Sequence, residues 1–163
     1  MINTSYRALK HVFLLIFIVC LSFISCKRST VYESHIETKN LTWHNKDVMS
    51  FNFEIKDTSS VYDLYTAIRY IDNCPHSSLK INFTISYQDE LCDFFKNEIK
   101  IKDDSGNYKG DVMGNIWDYS DKTVTNYKFH KPGNYKINIS ANSKDNVYLL
   151  INEVGLIVKK STK

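Results

Sequence analysis

The chain predicts an all-β protein, an antiparallel β-sandwich of jelly-roll or immunoglobulin-like kind with about seven to eight strands. Three observations predict it. Apolar and polar residues alternate with a period of two over most of the chain beyond residue 30, which turns one face of each segment to a core and the other to water. Clusters of Asp, Asn, Ser, Pro and Gly break the alternation at short intervals, as turns between short strands do. No long stretch keeps a helical period.

A first strand is expected near residues 31–37. Met49, Phe51, Phe53 and Ile55 then alternate with Val48, Ser50, Asn52, Glu54 and Lys56, the pattern of a half-buried strand. The turn Asp57-Thr58-Ser59-Ser60 leads to a strand marked by Tyr62, Leu64, Ile68 and Tyr70. Asn73-Cys74-Pro75 breaks the chain before Leu79, Ile81, Phe83, Ile85 and Tyr87. Phe95, Ile99 and Ile101 form the next strand, which Asp103-Asp104-Ser105-Gly106-Asn107 ends. A strand near 124–129 precedes the turn Lys131-Pro132-Gly133-Asn134, and Tyr135, Ile137 and Ile139 follow it. The segment 147–159 completes the set. Strands with one apolar face each are satisfied by stacking two sheets; a closed barrel is the alternative.

The start of the chain is read differently. Arg7 and Lys10 precede Val12–Ile24, an apolar run of thirteen residues. At ~1.5 Å per residue the run spans roughly 20 Å, short of the ~30 Å hydrocarbon core of a membrane. A positive flank, an apolar middle and a small residue at the end make a secretory signal. Phe23-Ile24-Ser25-Cys26 resembles the bacterial lipobox: Ser25 is the small residue the signal peptidase needs, and the Cys26 thiol takes a diacylglycerol, followed by an N-acyl chain. The domains expected are a lipoprotein signal peptide over 1–25, a lipidated tether over 26–32 and the sandwich over 33–163. Lys27 follows Cys26 where an aspartate would mark inner-membrane retention. The expected place is therefore the cell envelope, at the outer membrane facing the periplasm, with the membrane as a partner through the anchor.

Composition excludes one large class of partners. The chain of 163 residues has a formal charge of +3, but Arg7 and Lys10 belong to the leader, so the remainder holds 19 basic and 18 acidic residues. A near-neutral domain has no electrostatic reason to bind nucleic acid. No nucleophile elbow and no glycine-rich phosphate loop is present. His35, His44, His76 and His130 are too scattered for a metal signature. Asp103, Ser105 and Asn107 suggest calcium ligands, but Gly106 stands fourth rather than sixth and Gly114 occupies the position of the closing acid. No catalytic residue, metal or cofactor is expected beyond the lipid on Cys26, and the chain reads as a non-enzyme. Cys74 and Cys92 either close a disulfide or remain two free thiols. Trp43 and Trp117 carry the alternative function, a carbohydrate-stacking platform, against packing in the core.

Particular phrases carry a resemblance. Val48-Met49-Ser50-Phe51-Asn52-Phe53-Glu54-Ile55-Lys56-Asp57-Thr58, then Tyr62-Asp63-Leu64-Tyr65 and Arg69, is similar to the opening of the gliding-motility lipoprotein GldH family of Bacteroidetes. The likeness continues through Asn73–Leu79, Asp103–Gly110 with Gly114-Asn115-Ile116, Pro132-Gly133-Asn134-Tyr135 and Val154–Lys160. The family's Met-Arg pair and Leu-x-Gly-Val run are missing from the shortened Ala141–Val147. The resemblance implies an accessory or scaffolding lipoprotein of the gliding machinery linked to type IX secretion, with other envelope proteins of that apparatus as partners. It implies no catalytic activity.

Overall fold

Alternation becomes strand wherever the sequence predicts it. The computed structural model describes residues 29–161, so the leader, Ser25 and Cys26 lie outside the described residues. The strands are β1 (Thr30–Glu37), β2 (Thr42–His44), β3 (Val48–Ile55), β4 (Tyr62–Ile71), β5 (Ser78–Tyr87), β6 (Glu90–Lys100), β7 (Asp111–Met113), β8 (Ile116–Tyr127), β9 (Gly133–Ala141), β10 (Val147–Leu149) and β11 (Ile151–Lys160). β3 shows the alternation in its purest form, each apolar residue from Met49 to Ile55 buried and each intervening one exposed. β1 starts at Thr30, so residues 30–32, expected in the tether, already belong to the sandwich.

The order of strands decides between the sandwich types. One sheet runs β1-β11-β4-β8-β7, the facing sheet β3-β9-β5-β6, and β10 pairs with β2 as a separate ribbon. Every pairing is antiparallel. Among the eight long strands only β5 and β6 are joined within one sheet; every other connection crosses to the opposite sheet. Eight strands wound in this way are a jelly roll, not an immunoglobulin sandwich.

Four features were hidden from the alternation rule. The ribbons β2, β7 and β10 have three residues each, too few to show a period. β8 begins at Ile116 rather than near 124. Its residues Trp117, Tyr119 and Asp121 pair across β4 with Tyr70, Ile68 and Thr66, so its inner face mixes aromatic with polar groups. The β5–β6 turn, Gln88-Asp89, has both residues at positive φ (51° and 64°), the conformation of a two-residue hairpin loop, built here without the usual Asn-Gly. Residues 147–159 form two strands because Leu150, at φ 60°, turns the chain from β10 into β11.

The core is aliphatic in the middle and aromatic at both ends. Leu64, Ile68, Val154, Leu156 and Val158 of one sheet face Ile81, Phe83, Ile137 and Ile139 of the other, all fully or almost fully buried. At the end where the chain enters, Phe129 is 1% exposed. Its ring lies 4.6–5.9 Å from those of Phe53, Tyr62, Tyr127 and Tyr135, edge to face in each case, the arrangement the ring quadrupoles favour. At the far end the β2–β10 ribbon seals the opening. Trp43 and Tyr148 face each other across it at 6.2 Å, and the Tyr148 hydroxyl accepts from the Lys80 amide at 2.7 Å. Aromatic plugs at both mouths bury the large apolar area that eight short strands leave open at their ends.

Candidate functional site: the outer face of the five-stranded sheet

The outward side chains of β1, β11, β4 and β8 form a charged surface crossed by ion pairs. One row across the sheet is Glu37, Glu153, Arg69 and Asp118. The next row is His35, Gly155, Ala67 and Ser120. The second row is small in its middle and the first is bulky, so the surface sinks into a groove of about 300 Å³ lined by Glu33, His35, Arg69, Asp118, Ser120 and Ile157. Gly155 lets the His35 ring lie across it, since a Cβ would sit 2.5 Å from the His35 Nδ1 and push the ring aside.

Arg69 organises the groove. Its Nε donates to Asp118 Oδ1 at 2.7 Å and its Nη2 to Oδ2 at 3.2 Å, while Nη1 donates to Glu153 Oε1 at 2.6 Å. The fork geometry is the one guanidinium and carboxylate favour. Asp118 first, and Glu153 after it, hold the guanidinium further from deprotonation than usual, against the effect of burial. His35 lies between Glu33, at 3.5 Å, and Glu153, at 3.9 Å. All the charges here serve one another. No nucleophile stands beside a base, and among the described residues no three His, Cys, Asp or Glu side chains are placed to hold a metal ion.

The remaining sequence candidates fall elsewhere. Trp43 is completely buried, with its indole N–H given to the Asp47 carbonyl at 3.0 Å. Trp117 packs against Tyr70 and Tyr108 at 6.5 and 5.2 Å, and its N–H goes to Asp72. Trp43 is therefore closed to the expected sugar-stacking platform, being used to seal the far end of the core, while Trp117 is half-buried and packs against that core from outside. The alternative of a disulfide is corrected likewise: Cys74 and Cys92 are free thiols, one buried and one exposed. Cys74 precedes β5 and Cys92 follows it, so the ten residues of that strand, at ~3.4 Å each, set them at opposite ends of the sandwich. Asp103 holds a turn rather than calcium, its carboxylate accepting from the Ser105 and Asn107 amides and the Asn107 side chain.

Sequence reasoning missed two groups. Asp63 on β4 is almost fully buried. It accepts from Lys122 at 2.7 Å, the Asn126 amide at 3.0 Å and Ser161 at 2.8 Å. Burial opposes its charge, but these three donors together outweigh burial and hold the carboxyl below its ordinary range. His76 is the second. Its Nε2 accepts the Leu149 amide at 3.0 Å, and its ring meets Tyr148 edge-on at 4.9 Å. Neither carries a sequence signal, because their partners lie 59 to 98 and 73 residues away.

Fold and surface together define a class: a single jelly roll whose outer groove pairs Arg69 with Asp118 and Glu153, with a chain entry leading directly into the first strand. The chain belongs to the GldH lipoprotein family, whose pattern matches residues 30–158. It is 26% identical over 162 residues to the gliding motility lipoprotein GldH homolog of Christiangramia forsetii (strain DSM 17595 / CGMCC 1.15422 / KT0803), covering 95% of this chain and 98% of that one. Among solved structures, dimeric latent PorU from Porphyromonas gingivalis aligns with 85% of this chain at 10% identity and a TM-score of 0.32. This chain spans 14% of that one, a likeness too loose to bear on fold or function.

Proposed function

We propose that the protein is a non-enzymatic lipoprotein, acylated on Cys26, that serves as an accessory or scaffolding component of the gliding machinery linked to type IX secretion. The observation that carries this reading is the match to the family over nearly the whole sandwich, together with a relative of the same length named for gliding motility. The structure supports it in two ways. Cys26 stands only four positions before the first strand residue, Thr30, so the sandwich is expected to sit close to the bilayer. The Arg69 groove and the polar sheet faces offer surface for protein contacts rather than a reactive centre.

Two acyl chains already anchor a protein stably, at ~0.8 kcal/mol per buried methylene, and a third makes release negligible. Lys27, in place of an aspartate after Cys26, supports the outer membrane as the destination. The test combines deletion of the gene with a Cys26→Ala form. Deletion is expected to abolish surface spreading and to lower secretion of C-terminally tagged cargo; unaffected behaviour in both assays refutes the role. Cys26→Ala is expected to keep its leader and lose the acyl mass. Unchanged mobility with unchanged membrane fractionation refutes the anchor.

A further inference from the structure

Edge strands carry a row of backbone groups with no partner, and folded proteins guard them with charges, breaks in register or very short strands. Among the described residues, three of the four edges of the two sheets are guarded. β1 turns Glu33, His35 and Glu37 outward in succession and breaks register near Thr30. β6 breaks register beside Cys92, turns Asp93 inward to the Tyr127 hydroxyl, and turns Lys96 and Lys100 outward. β8 is covered over Ile116–Asp118 by the three-residue β7; beyond that its register breaks twice and Asp121 points inward.

β3 is the exception. Its eight residues pair with β9 without a break, and Val48, Ser50 and Asn52 are exposed and uncharged. Bonded and non-bonded pairs alternate along an antiparallel ladder. At the end of β9 the Asn142 amide donates to the Lys80 carbonyl, so the even residues of β9 bond to β5 and the odd ones to β3. The odd residues of β3 thus bond to β9, and the N–H and C=O groups of Val48, Ser50, Asn52 and Glu54 face the open edge. None of the four meets a backbone partner in another element among the described residues. A groove of about 590 Å³ runs beside this edge, walled by Val31, Tyr32, Asn52, Phe53 and Tyr62. The rings of Tyr32 and Phe53 lie 5.1 Å apart in it. The charges that line it are paired among themselves, Glu54 with Lys56 at 3.4 Å and Asp57 with Lys160.

We propose that β3 accepts an extended, uncharged segment of another protein as a further strand of the four-stranded sheet, with apolar side chains at alternate positions entering the groove. The free backbone groups are matched by another backbone in extended form. Successive side chains of an added strand point to opposite faces, so every second one turns toward Tyr32 and Phe53. The charges beside the groove neutralise one another and leave nothing to attract a charged segment. A second copy of this chain fits less well. Its own Met49, Phe51, Phe53 and Ile55 are buried in its own core, so pairing β3 with β3 leaves the groove empty. The inference stands on the sandwich alone and needs neither the anchor nor the gliding role.

The test places the photo-crosslinker p-benzoylphenylalanine at Val48 of the full chain in its own cells and, for comparison, at Phe94 on β6; both residues are about half exposed. Adducts are mapped to residues by mass spectrometry. The Val48 position is expected to give a discrete adduct to an uncharged segment with apolar residues at every second position, and the Phe94 position none. Ser50→Pro removes a free N–H from the edge and is expected to lower that adduct about tenfold. Ser50→Ala keeps the N–H and is expected to leave it unchanged. Proline at an edge N–H spares the ladder to β9, so the purified Ser50→Pro chain should keep its cooperative urea transition, and so should Asn52→Pro. Where one of the two folds, that chain carries the crosslinking test. Loss of the transition in both shows that these amides are bonded within the fold and overturns the open edge. The absence of an adduct, or an adduct to a second copy, to this chain's own segments or to a charged segment, overturns the proposal. So does an adduct that survives the proline.

Discussion

Phe129 shows how much of this fold rests on single residues outside the strands. It lies past the end of β8, yet it touches four other rings and joins the two sheets at the mouth where the chain enters. Truncating a buried Phe removes its transfer energy and leaves a cavity. Phe129→Ala is therefore expected to cost about 3–5 kcal/mol, read as a lowered midpoint in urea with an unchanged slope. His76 makes a different prediction. Its pKa falls below the ordinary 6.5, through burial first and Lys102 second, against a smaller pull from Asp145. The unfolded chain then takes up a proton near pH 6.5 while the folded one stays neutral and keeps the Leu149 bond. The contribution is complete above 6.5 and is lost as pH falls through the lowered folded value. Urea midpoints at pH 7.5 and 5.5 should differ more for the native protein than for His76→Gln, whose amide oxygen accepts the same bond without titrating. An equal difference in both proteins rules this out.

At the scale of elements, β5 and its neighbours decide the state of the cysteines. Burial raises the Cys74 thiol pKa, the His76 amide working against it, and the sulfur donates weakly to the Leu149 carbonyl at 3.6 Å. Cys92 is the unpaired residue where the β5–β6 register shifts, since Ile85 pairs with Asp93 but Ser86 with Leu91; a residue bulged from an edge strand is open to water. A thiol reagent is accordingly expected to modify Cys92 within minutes in the folded chain and Cys74 only after unfolding. Reaction of both thiols at one rate in the native state contradicts this placement. The disulfide of Cys74 with Cys92 left open by the sequence is not formed for a simple geometric reason. One strand lies between them, and a strand carries the chain from one end of a sheet to the other.

Over the whole molecule, the jelly-roll path makes stability depend on contacts between distant parts of the chain. β11 lies between β1 and β4 and hydrogen bonds to both, and the side chain of Thr38 reaches the Ile151 carbonyl across 113 residues. Removing β11 exposes two strand edges and half the core of the larger sheet. A chain truncated before Ile151 is expected to lack any cooperative unfolding transition by far-UV circular dichroism; a sharp transition would show that the remaining strands fold alone. With so many pairings between remote segments, refolding of the intact domain belongs in the range of milliseconds to seconds.

The alternation of residues such as Met49 to Ile55 and Leu79 to Ile85 was enough to determine strand positions, the buried face of each strand and the all-β class, because side-chain direction in a strand depends only on parity. The match of ordered phrases from Val48 to Lys160 was likewise legible, and it carried the family. Which strands lie side by side was not, since pairing partners such as β1 and β11 are set by how all the apolar faces close together. The same holds for the Arg69 groove, the buried Asp63 and the separation of the two thiols. Each is assembled from residues on different strands, and only the closing of two sheets over one core brings such residues together or keeps them apart.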